Sequence, residues 1–266
     1  MKKNIIWMAL LMGGWLFTAC GGSDAPDTPD NPGTPDKPVT QEWNKENTLN
    51  VCYITSLSEA SSAGNVEKAA DYLKAKGCTP AIVDRTDVLN YADQSACQNT
   101  STQLSFLSAK FCSFVMEGYK GNDIQGSTVV LGHKINTVES ETIGDGCFMQ
   151  YVKTQGKSIA KANKTIVLPL AMVKISAKEQ VAGAVNAVKK FSASAYKAVV
   201  VGEVKTSIAD DLKAQLATLP AMKLTLVEPA GEYTIFMTTG ESYILRSTAT
   251  ETVGTQTAYT LSIEEL

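Results

Sequence analysis

Residues 165–205 read TIVLPLAMVKISAKEQVAGAVNAVKKFSASAYKAVVVGEVK, and this stretch decides how the chain folds. Thr165 to Val173 is an almost unbroken apolar run, as expected of a strand covered on both faces. Ser176-Ala-Lys-Glu179 has the hydroxyl and carboxylate spacing of a capping box, which predicts a helix start. Val181, Ala184, Val185, Val188 and Phe191 follow at helical spacing. Lys197 to Val204 is a second apolar run rich in valine. The segment therefore predicts a strand, a helix and a second strand, with the helix covering the sheet that the strands build.

The same theme recurs on both sides of it. Upstream, Thr48 to Leu57 predicts a strand, and Asn65 opens a helix with Val66, Ala69, Ala70 and Leu73 on one face, closed at Gly77. Pro80 to Val83 is a short apolar strand, and Thr102 to Lys110 a helix. Strands follow near Phe111 to Glu117, Ser127 to Leu131, Asn136 to Thr142 and Phe148 to Lys153. Downstream, Ser207-Ile-Ala-Asp210 predicts a capped helix carrying Ile208, Leu212, Leu216 and Leu219. Strands near Lys223 to Val227, Thr234 to Met237, Ser242 to Ser247 and Ala258 to Ile263 complete the chain. Strands outnumber helices and several run in meander-like succession. The expected fold is α/β (α+β), a four-layer αββα sandwich of two mixed sheets flanked by helices; the alternative is a single-sheet three-layer αβα arrangement.

The order of these pieces resembles the endonuclease/exonuclease/phosphatase superfamily. Leu49-Asn50-Val51 stands where that family opens, and Pro80-Ala81-Ile82-Val83 leads to Thr86-Asp87. Gly126 to Leu131 matches its glycine-led strand, and Gly202-Glu203-Val204-Lys205 its Gly-Asp-x-Asn strand end. The resemblance implies a deoxyribonuclease-like sandwich over residues 45–266 and a phosphodiesterase site of metal-binding acids with catalytic histidines. Carried over by position, the family's Asn falls near Thr55 and its Glu on Asp87. Its first histidine falls near Pro169, its Asp and Asn on Glu203 and Lys205, and its closing Ser-Asp-His on Thr255-Gln256-Thr257. The only histidine in the chain is His133, so the resemblance implies a dismantled site. Asp87 and Glu203 are the remaining candidate ligands for Mg²⁺ or Ca²⁺, with Lys205 expected to pair with Glu203 or another carboxylate and neutralise the place a metal would sit. The plainer reading makes both acids solvated loop residues and His133 an exposed turn residue.

Other chemistries leave no trace: no G-x-S-x-G elbow, HExxH pair or Walker loop occurs. Formal charge is −3, and losing Lys2 and Lys3 with a leader makes it −5, which argues against a nucleic-acid partner. Lys153, Lys157, Lys161 and Lys164 read as a solvated loop. Cys52 and Cys112 lie in apolar runs; Cys78 and Cys97 read as loop residues able to pair. With Cys147 they make an odd set of five.

The N-terminus states an address. Lys2 and Lys3 precede the apolar run Ile5 to Phe17, which ends in Thr18-Ala19-Cys20. The run is shorter than the roughly 20 residues of a membrane span. The cysteine after small residues resembles the lipobox of bacterial lipoproteins, which implies acylation of Cys20 and removal of residues 1–19. Residues 20–44 are rich in Asp and Pro, with prolines at positions 26, 29, 32, 35 and 38, a composition expected to form a disordered tether. The stretch looks like lipoproteins of the Bacteroides type. Together these readings predict an envelope protein held at the outer membrane by its N-terminal lipid, periplasmic or surface-exposed. Its domain is expected to be non-catalytic, to need no cofactor, and to bind an envelope protein, peptide or glycan. The alternative is a metal-dependent phosphodiesterase or nuclease with a rebuilt site at Asp87, Glu203 and His133.

Overall fold

The computed structural model describes residues 42–43, 45–55, 64–78, 80–132, 135–144, 147–157, 165–194, 199–219, 222–226, 232–240 and 243–266. Cys20, the proposed tether, His133, Lys161 and Lys164 lie outside them. From Glu42 onward the chain forms one compact unit. Its elements are β1 (Thr48–Ile54), α1 (Asn65–Lys76), β2 (Ala81–Val83), β3 (Val88–Leu89), β4 (Gln98–Asn99), α2 (Thr100–Ser108), β5 (Phe111–Lys120), β6 (Asp123–Leu131) and β7 (Ile135–Gly144). They continue through β8 (Cys147–Lys157), β9 (Thr165–Ile175), α3 (Glu179–Ser194), β10 (Val199–Lys205), α4 (Ala209–Leu216), β11 (Met222–Leu226), β12 (Tyr233–Gly240), β13 (Tyr243–Val253) and β14 (Gln256–Glu265).

Two mixed sheets result, as the sandwich expectation requires, and the single-sheet alternative is excluded. One is ordered β13-β14-β1-β2-β6-β3-β4, with β5 also pairing β6; the other is β11-β12-β10-β9-β8-β7. Each contains one parallel pair, β1/β2 and β9/β10, and a helix lies between its two strands in the chain. Parallel strands need such a crossover. The strand–helix–strand unit legible in residues 165–205 is thus one of two.

Period-two alternation explains the layers. Along β1, Val51 and Tyr53 face the other sheet, while Cys52 and Ile54 face α1. Along β10, Val199 and Val201 face the opposite sheet, while Val200 and Val204 pack with α3 and α4. The inter-sheet core joins Val51, Ile82, Val129 and Leu131 to Met172, Val201, Ile235 and Met237. Helix α1 seals the outer face of one sheet with Val66, Ala69, Ala70 and Leu73. Helix α3 seals the other with Val181, Ala184, Val185, Val188 and Phe191.

Some local details depart from expectation. Gln180, not Glu179, reaches back to the start of α3: its Oε1 accepts from Ser176 N at 2.9 Å and Ala177 N at 3.1 Å. The stretch before α4 is a 3₁₀ turn, Thr206–Ile208, and no side chain caps that helix. Lys153 and Lys157 belong to strand β8 rather than a loop. Cys78 is not a loop thiol. It is fully buried beneath α1 while Cys97 is exposed, and both are free, so they do not pair.

Close packing of α3 on its sheet rests on Gly183, where a Cβ would stand 2.0 Å from the Ile143 carbonyl oxygen. Gly118 on β5 has open space around the same position. Gly183→Ala is expected to lower stability by about 1–3 kcal/mol through forced displacement of the helix, and Gly118→Ala to stay near neutral. Urea denaturation of the two variants tests the difference.

Candidate functional site

The inner faces of both sheets change from apolar to charged at one end. The same alternation that points Ile82, Val201 and Met172 into the core points Asp84, Glu203 and Lys174 to its rim, two residues further along each chain. Tyr53 leads in the same way to Thr55. The result is a cleft of about 240 Å³ lined by Thr55, Asp84, Arg85, Lys174, Glu203 and Tyr233, among others.

Lys174 is the hub. Its Nζ lies 2.5 Å from Glu203 Oε1 and 3.6 Å from Asp84 Oδ1. The shorter contact is an ion pair poorly aligned for a hydrogen bond. The ammonium also sits 5.2 Å from the centre of the Tyr233 ring. Parallel pairing sets this up, because β9 and β10 place Lys174 directly beside Glu203. Pro169, where the family resemblance put a histidine, lies five residues back along β9 opposite Lys153.

A second layer of polar groups surrounds the hub. Ser127 Oγ is 3.1 Å from Asp84 Oδ1 and 2.6 Å from Glu117 Oε1, bridging the two carboxylates. Glu117 is the extra residue of a β-bulge between Met116 and Gly118, a device that re-aims a side chain at a strand edge. The hydroxyl of buried Tyr53 lies beside Glu203. Burial, then the charges of Asp84 and Glu203, raises its pKa well above the ordinary tyrosine value. Burial and the neighbouring Asp84 also push the carboxyls of Glu203 and Glu117 upward. Burial opposes the charge of Lys174, but Asp84 and Glu203 outweigh it and hold the ammonium protonated above the usual lysine range.

The residues singled out in the sequence fall differently. Glu203 is in the cleft and 5% exposed; Asp87 is 3% exposed, so neither is a solvated loop acid. Asp87 is spoken for elsewhere. Arg85 grips it with Nε at 3.2 Å and Nη2 at 2.9 Å, and Gly126 N donates to it at 3.0 Å. Arg85 adopts φ 50°, a left-handed conformation rare for a long side chain, and so folds back onto the residue two positions ahead. The acid that shares Lys174 with Glu203 is Asp84. Lys205 does not neutralise Glu203; it pairs with Glu232 at 2.9 Å on the surface. Thr55 and Thr257, on which two of the family positions fall, are in contact: Thr55 N donates to Thr257 O and Thr257 N to Thr55 Oγ1, each at 2.9 Å.

A divalent cation is what a phosphodiesterase site would hold. The groups present do not fit one. Among the described residues no set of three or more Asp, Glu, His or Cys side chains gathers to hold a metal ion. The two carboxylates that converge in the cleft already share the Lys174 ammonium, and a metal brought there would face that charge. The arrangement is suited to holding a fixed internal cation.

Removing that cation leaves buried carboxylates uncompensated. Lys174→Met is expected to cost about 3–5 kcal/mol at neutral pH, and adding Glu203→Gln to recover part of it. The raised carboxyl pKa values set the pH dependence. The native state holds protons on Glu203 and Glu117 above the pH at which the unfolded chain releases them, so their contribution is full below about pH 4.5. It fades as pH rises through the folded values. Without Lys174 the Glu203 carboxyl rises further, so the variant's deficit should shrink toward acid and grow toward neutral pH in thermal melts.

No family model matches this chain, and no curated protein matches its sequence. Solved structures do match its shape. An endonuclease/exonuclease/phosphatase family protein from Leptotrichia buccalis aligns at TM-score 0.57 and 6% identity, over 81% of this chain and 99% of that one. One from Bacteroides thetaiotaomicron aligns at 0.55 and 6%, over 82% and 98%. TDP2 of D. rerio, solved with a single-strand DNA product, aligns at 0.53 and 11%, over 82% and 99%. Identities this low carry architecture and nothing finer, and the architecture of this chain is the endonuclease/exonuclease/phosphatase fold.

Proposed function

We propose that this chain is a lipid-anchored envelope protein whose phosphodiesterase-like domain binds a partner and does not hydrolyse one. The observation that carries the reading is Lys174, with its ammonium set against Glu203 and Asp84. Metal-assisted phosphoryl chemistry needs a divalent ion held by oxygen ligands to generate a nucleophile and stabilise the transition state. Here a lysine answers those carboxylates instead. The chain also has one histidine in all, too few for the paired roles of the related enzymes. The partner class is an envelope protein, peptide or glycan, since a net charge of −3 offers no general attraction for nucleic acid. The anchor rests on Lys2, Lys3, the apolar run and Cys20; acyl chains contribute about 0.8 kcal/mol per buried methylene, and two hold a protein firmly on a bilayer.

Purified protein should show no hydrolysis of a generic aryl phosphodiester above background with Mg²⁺ or Mn²⁺, and no change on chelation. Metal-dependent turnover lost in Glu203→Gln would overturn the binding role in favour of the rebuilt hydrolase. The anchor has its own test. Cells expressing the chain with labelled palmitate should transfer label to it, and Cys20→Ser should abolish the transfer. Equal labelling of both, or none of either, would overturn lipidation at Cys20.

A further inference from the structure

Two of the cysteines meet in the core beneath α1. Cys52 lies on β1, with Thr260 of β14 as its cross-strand partner. Cys78 follows Gly77, the left-handed cap that ends α1, and its N–H donates to Leu73 O at 3.2 Å. That turn carries Cys78 Sγ to 3.9 Å from Thr260 Oγ1. Tyr72 joins its hydroxyl to the same Thr260 oxygen at 3.0 Å. Backbone pairing holds the two segments together, because Cys52 N donates to Pro80 O at 3.1 Å. Both cysteines are fully buried, belong to one apolar cluster, and lie against the same threonine, Thr260.

We propose that Cys52 and Cys78 are a disulfide-forming pair, which in an oxidising compartment links β1 to the end of α1. Two buried thiols that share Thr260 as neighbour, on backbone segments already hydrogen-bonded, are placed for the close approach a disulfide demands. In the closed fold the neighbouring Cys52 sulfur shifts the Cys78 thiol down, while Cys78 and burial push the Cys52 thiol well up. Once the pair is opened either thiol can attack first, and the exchange runs in the same way from each. Starting from Cys78, the thiolate attacks one sulfur of an external disulfide, releases the other as a thiol, and forms a mixed disulfide. Cys52, losing its proton, displaces the second external thiol and closes the Cys52–Cys78 bond. Two electrons and two protons pass to the oxidant, a small-molecule or protein disulfide. Because both sulfurs are inaccessible in the closed fold, the exchange belongs to folding or to an opening of α1. Of the other described thiols, Cys97 is exposed, while Cys112 packs against the same cluster with its thiol pushed up to about 11 by burial.

The inference does not depend on the absence of catalysis, and its test is separate from the hydrolysis assay. The purified full chain is equilibrated in buffers of reduced and oxidised glutathione, quenched with acid, denatured, alkylated and peptide-mapped. Under oxidising buffer the peptides holding Cys52 and Cys78 should be recovered joined, with Cys97 alkylated, and the link should survive in Cys97→Ala. Oxidised protein should melt at a higher temperature than the same protein treated with dithiothreitol. Cys52→Ala and Cys78→Ala should each abolish that difference. Recovery of both thiols alkylated, of Cys78 carrying only glutathione, or of either joined to another cysteine would overturn the proposal.

Discussion

Two sheets packed face to face must bury an apolar inner surface on every strand, and the rest of the structure follows from that constraint. Val51, Ile82, Val129, Val201 and Ile235 come from strands far apart in the chain, yet each sits at the inward phase of the same alternation. A slip of one residue in any of them would turn its inward set outward. The helices answer the other half of the constraint, since the outward phase, Cys52 and Ile54 or Val200 and Val204, is apolar too and needs a cover.

The candidate site is this core continued past its apolar limit. Asp84, Glu203, Lys174 and Thr55 take the inward phase where the sheet ends begin to admit water. Charges placed there are largely desolvated, so they must be answered locally. One lysine meets two carboxylates, a serine bridges to a third, and a tyrosine hydroxyl lies beside Glu203. Carboxyls with raised pKa values relieve what remains of the negative charge by holding protons more tightly. Such a site is built to hold its own internal cation.

Buried cysteines add a second specialisation on the opposite face of the same strand. Val51 and Tyr53 serve the inter-sheet core, and Cys52 between them serves the layer under α1. Alternation thus lets one short strand supply both the floor beside the cleft and half of a thiol pair, without either disturbing the other.

The strand and helix pattern was legible in the residues themselves. Hydrophobic period and turn signals depend only on near neighbours, so α1 with its Gly77 cap, the inward face of α3, and β9 and β10 could be read directly. The order of elements carried the sandwich as well. Glu203 was legible as a candidate because it ends a strand after glycine. The partners were not. Asp84, Glu117 and Lys174 are distant in sequence and meet only through strand register and one bulge. Position counting therefore favoured Asp87, which tertiary structure gives to Arg85, and Lys205, which it gives to Glu232. Cys78 looked like a loop thiol because the turn after Gly77 is local, while its burial against Thr260 is long-range. Sequence by itself determined the elements and the faces they bury, because those are set by local periodicity. Only the tertiary structure decided which charges meet and which cancel, because that depends on the register between strands that the chain brings together from far apart.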